Sequence, residues 1–61
     1  MVKFSLDFNA DNAAFDEGMA TEIGRILRKV ADQVEAGEME RRPIHDANGN
    51  LIGGWRVLDY R

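Results

Sequence analysis

Residues 16–36, DEGMATEIGRILRKVADQVEA, decide the fold. Met19, Ile23, Ile26, Leu27, Val30 and Val34 recur at spacings of three and four. On a helix these spacings place all six on one stripe, with Ala20 and Ala31 at its margin and Phe15 extending it upstream. Thr21, Arg25, Arg28, Asp32 and Glu35 fall on the opposite side. Arg28 and Asp32, four apart, can pair across one turn for ~0.2–0.5 kcal/mol. The acidic pair Asp16-Glu17 suits a helix N-terminus, and Gly37 suits a left-handed C-terminal cap. The spacing predicts a helix over 16–36 that must bury one apolar stripe.

The flanking segments supply a surface for that stripe. Upstream, Val2, Phe4, Leu6 and Phe8 alternate with Lys3, Ser5 and Asp7, which is the period of a half-buried strand. Asn9-Ala10-Asp11-Asn12 breaks the alternation with turn- and cap-forming residues. A first helical turn is expected near Ala13, interrupted by Gly18, since an interior helical glycine costs ~1 kcal/mol. Downstream, 40–45 reads as a short strand that Pro43 confines to a sheet edge. Asp46-Ala47-Asn48-Gly49-Asn50 reads as a turn with positive φ at Asn48, Gly49 or both. Residues 51–58 read as the last strand, with Leu51, Gly53, Trp55 and Val57 on one face and Ile52, Gly54, Arg56 and Leu58 on the other.

One helix over three strands is an α+β fold of βαββ pattern, and residues 1–61 make a single domain. Ile23, Leu27, Val30, Phe4, Leu6 and Trp55 are expected to share the core. A single helix covers one face of a sheet, which leaves Ile52 and Leu58 on the uncovered face.

Composition narrows the function. A chain of this length buries only ~60% of its unfolded surface. Its sequence contains no cysteine, so disulfides cannot reinforce it. The missing cysteine also fits a reducing compartment. Eight basic residues against eleven acidic ones give a formal charge of -3, which argues against nucleic acid as the main partner. Apolar runs are far shorter than the ~20 residues of a membrane span, and Asp7 interrupts any signal-peptide core. The expectation is a cytoplasmic protein without membrane contact.

Few residues suggest chemistry. Asp46, Asn48 and Asn50 alternate like the start of a calcium loop, but such a loop needs glycine at its sixth position and glutamate at its twelfth. Here Gly49 is fourth and Val57 twelfth, so a hairpin turn is the expected role. His45 is the only histidine. Ser5 falls mid-strand and Thr21 mid-helix, with no base beside either. No nucleophile, base and orienting group assemble from this set, and the expectation is a protein without catalytic residues, cofactor or metal. Arg25, Arg28, Lys29, Arg41 and Arg42 could form a weak basic patch, although Glu22, Asp32, Glu35, Glu38 and Glu40 interleave with them. Gly53-Gly54 inside a strand marks a bulge, room for a bulky side chain, or a flat strip where a partner docks.

The runs Asp11-Asn12-Ala13-Ala14-Phe15, Ile26-Leu27-Arg28, Val34-Glu35-Ala36-Gly37-Glu38, Asp46-Ala47-Asn48-Gly49-Asn50 and Gly54-Trp55-Arg56-Val57 together resemble a group of short uncharacterised proteins of phages and prophages. The resemblance spans most of the chain and rests on structural motifs. It implies a viral accessory protein that acts in the host cytoplasm, binds a host or phage protein, and in that role can inhibit host defence. It brings no cofactor or catalytic residue with it. The expected partner surface is Ile52, Gly54, Leu58 and Tyr60, serving a homodimer or a different protein. For a second copy, the edge near Pro43 or the face near Gly54 is the expected seat. The rival expectations are a nucleic-acid accessory protein using the basic patch and an acidic decoy for a DNA-binding protein.

Overall fold

A computed structural model describes residues 1–38 and 40–59. Its elements are β1 (Val2–Phe8), a 3-10 turn (Ala13–Phe15), α1 (Met19–Glu35), β2 (Arg42–His45) and β3 (Leu51–Asp59). The sheet order is β1-β3-β2, and β3 runs antiparallel to both neighbours. β1 and β2 therefore run the same way on either side of β3, a split β-α-β arrangement closed by a hairpin.

Each element starts and stops for a local reason. Asn12 caps the 3-10 turn by accepting the Ala14 N–H on Oδ1 at 3.1 Å. The expected helix over 16–36 begins later, at Met19, because Asp16-Glu17-Gly18 separates the 3-10 turn from α1, and Gly18 is its N-cap. At the other end Glu38 N–H donates to Gln33 C=O and Gly37 N–H to Val34 C=O, with Gly37 at φ 95°. That double closure is the Schellman motif, and it satisfies the last carbonyls of α1. Gly49, at φ 85°, is the positive-φ residue of the β2–β3 turn.

Residues directly opposite one another across an antiparallel pair share a face. Leu6 lies opposite Trp55, Phe4 opposite Val57 and Ile44 opposite Gly53. That face carries the core: Phe15, Ile26, Val30, Ile44, Ile52 and Trp55 are buried, with Leu6, Phe8, Ile23, Val34 and Val57 packed against them. Trp55 is the most enclosed, and its indole N–H donates to Gln33 Oε1 at 3.1 Å, so the ring is buried without an orphaned donor.

Three expectations about the core need correction. Ile52 is not on the uncovered face; it is 8% exposed and belongs to the core. The register steps from Ile44↔Gly53 to His45↔Leu51, so Ile52 is the extra residue of a β-bulge. A bulge bends the strand and re-aims the side chain, which breaks the strict alternation read from sequence. Leu51 is correspondingly 69% exposed. Leu27 and Phe4, expected in the core, are 46% and 50% exposed. The reason is where α1 lies. Lys29 and Gln33 border a narrow crevice against Pro43, Ile44 and His45, so the helix leans over β2 and β3. Leu27 projects roughly 100° around the helix from Ile26, on the flank away from β2.

Candidate interaction surfaces

Four regions carry the residues singled out by sequence: the β2–β3 turn, the basic side chains, the uncovered sheet face and the two sheet edges.

The turn is a polar knot. Asp46 is buried and its carboxylate accepts four hydrogen bonds. Oδ1 takes the backbone N–H groups of Asn48 and Asn50, both at 2.9 Å. Oδ2 takes the side-chain amides of Asn12 at 2.6 Å and Asn50 at 3.1 Å. Glu22, buried on the first turns of α1, accepts Arg25 Nε at 2.7 Å and Nη2 at 2.9 Å, and also the Ala47 N–H at 2.8 Å. One carboxylate thus ties the turn to the 3-10 segment, and the other ties it to α1. The side-chain hydrogen bond from Arg25 holds the Glu22 carboxyl below its ordinary value, against the opposing effect of burial. Burial pushes the Asp46 carboxyl up, but the Asn50 backbone and side-chain donors, with Asn48 and Asn12, outweigh it and leave the group lowered. The Asp46, Asn48 and Asn50 alternation is therefore spent on the turn itself. Among the described residues no group of three or more His, Cys, Asp or Glu side chains could hold a metal ion. The sequence placed the turn correctly but gave Glu22 only as one of several interleaved acids; its position one residue before Ile23, at the stripe's margin, was the available signal.

The five basic residues do not form one patch. Arg25 is bonded to Glu22, and Arg42 pairs with Glu38 at 3.2 Å. Arg28 folds back along its own helix, its guanidinium 3.3 Å from where a Cβ on Gly24 would sit, and does not pair with Asp32 as expected. Lys29 borders β2 on the helix side of the sheet, whereas Arg41 lies on the opposite side. His45 is exposed on β2.

The uncovered face presents Lys3, Ser5 and Asp7 from β1, Gly54, Arg56 and Leu58 from β3, and Pro43 from β2. A groove of about 260 Å³ runs across it, with Ser5, Asp7, Arg41, Gly54 and Arg56 among its lining. Gly54 forms part of this floor as expected, and Leu58 is half-buried opposite Lys3. Tyr60 lies outside the described residues. The expected surface of Ile52, Gly54, Leu58 and Tyr60 is therefore reduced to Gly54 and Leu58 where the structure describes it. The two strand glycines face different neighbours. A Cβ on Gly53 would sit 2.1 Å from Asp7 O and 2.5 Å from Phe8 Cα, while one on Gly54 would sit 3.0 Å from Arg42 O. Both mark close backbone approach, Gly53 to β1 and Gly54 to β2.

The two edges differ. β2 is four residues long, contains Pro43, ends opposite the Ile52 bulge of β3 and is preceded by Arg41. β1 is seven residues long with an unbroken register and no proline. Its Val2 is 65% exposed and its Phe4 half exposed.

No family model, no curated protein and no solved structure matches the chain. No helix among the described residues is long and apolar enough to cross a membrane.

Proposed function

We propose that this is a non-enzymatic interaction module that binds protein through the open edge of β1. The observation that carries the reading is the contrast between the edges. Folded proteins blunt their sheet edges with short strands, proline, charge and bulges, because unpaired N–H and C=O groups are a template for another strand. β2 is short, contains Pro43, is flanked by charge, and its pairing with β3 is broken by the Ile52 bulge. β1 is long and regular, and its exposed Val2 and Phe4 would be covered by a partner. Strand addition supplies affinity from main-chain hydrogen bonds and specificity from alternate side chains. A phage or prophage accessory role in the host cytoplasm, including interference with host defence, is the setting implied by the resemblance and rests on it alone.

Site-specific photo-crosslinking tests the edge. A crosslinking side chain at Lys3 is expected to give defined protein adducts, and the same group at Pro43 few or none. Equal labelling from both positions would count against β1 as the docking edge.

A further inference from the structure

We infer that the occupant of the β1 edge is β1 of a second copy, paired antiparallel about a two-fold axis at Ser5. This rests on the reading of β1 as a docking edge and names its partner.

The hydrogen-bonding direction comes first. Asn9 N–H donates to Ile52 C=O, and the register from Val2↔Asp59 to Phe8↔Gly53 continues to that pair. In an antiparallel ladder the bonded pairs alternate. Odd-numbered residues of β1 therefore bond to β3, and Val2, Phe4, Leu6 and Phe8 direct their N–H and C=O groups outward. A two-fold at Ser5 sets Val2 opposite Phe8 and Phe4 opposite Leu6 of the other copy, so the outward groups meet outward groups.

The side chains fit the same axis. Val2-Lys3-Phe4-Ser5-Leu6-Asp7-Phe8 is chemically symmetric about its centre. On the helix side every pair is apolar. On the uncovered side Lys3 meets Asp7 of the other copy twice, and Ser5 meets Ser5. Shifting the axis to Phe4 sets Lys3 opposite Ser5, and shifting it to Leu6 sets Asp7 opposite Ser5. Among registers that keep the faces aligned, the charge complementarity selects Ser5. Both helices then lie on one face of a six-stranded sheet, and the exposed Val2 and Phe4 of each copy lie at the seam. Such an isologous contact is the commonest way a small chain self-associates, and opposite charges placed directly across strands favour it while like charges oppose it.

Sedimentation equilibrium on the full chain provides the test, with charge exchange as the probe of register. The unmodified chain is expected to show twice its 6.9 kDa mass at high micromolar concentration. Lys3→Asp and Asp7→Lys, each putting like charges together twice, are expected to weaken the dimer on the order of tenfold. The double variant should recover it, and an equimolar mixture of the two single variants should form a heterodimer. Both positions are exposed, and circular dichroism melts of the single variants establish that they still fold. A monomeric unmodified chain overturns the second copy as occupant, whereas crosslinking from Lys3 separately decides whether β1 binds anything. A dimer indifferent to both single substitutions overturns the Ser5 register.

Discussion

β1 and β2 are neighbours of the same central strand, yet the molecule treats them differently. β2 is held from the side. Ile26, Val30 and Ile44 are buried together, and the Glu22 and Asp46 carboxylates lock the turn that follows. β1 is held by its seven-residue register with β3 and by Leu6 and Phe8 against the core, with Phe8 stacked on Phe15, while Leu27, on the α1 flank away from β2, stays half exposed. The difference teaches that one short helix cannot cover three strands evenly. The chain uses its helix to secure the weaker, shorter strand, and the longer strand, whose pairing is extensive, is left with a free edge.

The largest expected effect compares the two flanks of α1. Ile26→Ala removes a buried side chain over β2 and should cost ~2–5 kcal/mol. Leu27→Ala, on the β1 flank, should cost ~1 kcal/mol or less, since half of that side chain is already in water. Chemical denaturation of both variants checks the asymmetry, and equal losses would mean that α1 sits centrally over the sheet.

The paired glycines sharpen the same contrast. Gly53→Ala drives a methyl group into the backbone of β1 and should cost at least ~1–3 kcal/mol by forcing the strands apart. Gly54→Ala meets only Arg42 C=O at the limit of tolerance, and its cost should be clearly smaller. Thermal melts rank them; a milder Gly53 substitution would contradict the close approach of β1 and β3.

Gly49→Val acts on the β2 side alone. A β-branched residue at φ 85° is strained, and a loss of ~1–2 kcal/mol is expected. Added calcium should leave the melting temperature of the unmodified protein unchanged, because the Asp46 oxygens are committed to the turn.

The smallest effect at neutral pH is expected from Glu22→Gln, which keeps an acceptor for the Ala47 N–H while losing the charge that faces Arg25. The folded-state values of Glu22 and Asp46 are both lowered. Their contribution is therefore complete above the unfolded values, at about pH 4, and is lost as pH falls through the lower folded values. Melting temperature measured from pH 6 downward should fall less steeply for Glu22→Gln than for the unmodified chain. Parallel curves would remove Glu22 from the acid-sensitive tie.

Much of the fold was legible because it depends on near neighbours. The alternation over Val2–Phe8 matched β1 residue for residue, and the turn and cap glycines, Gly49 and Gly37, took the positive φ their surroundings suggested. The body of α1 followed from its stripe; its start did not, because Asp16-Glu17-Gly18 can end one helical turn as well as begin another. The candidate surface was less legible. Strict alternation along β3 puts Ile52 on the open face, and one bulge reverses it.

Period, caps and turn chemistry are written in residues a few positions apart, and by themselves they determined that this chain makes one amphipathic helix and three strands. Which strand would lie at an open edge, which side of the helix would stay wet and whether Glu22 would be buried depended on contacts across 20 or more positions, such as Glu22 with Ala47 and Asn12 with Asp46. Such contacts exist only once the strands have taken the order β1-β3-β2, because burial is a property of the assembled surfaces and not of any one segment.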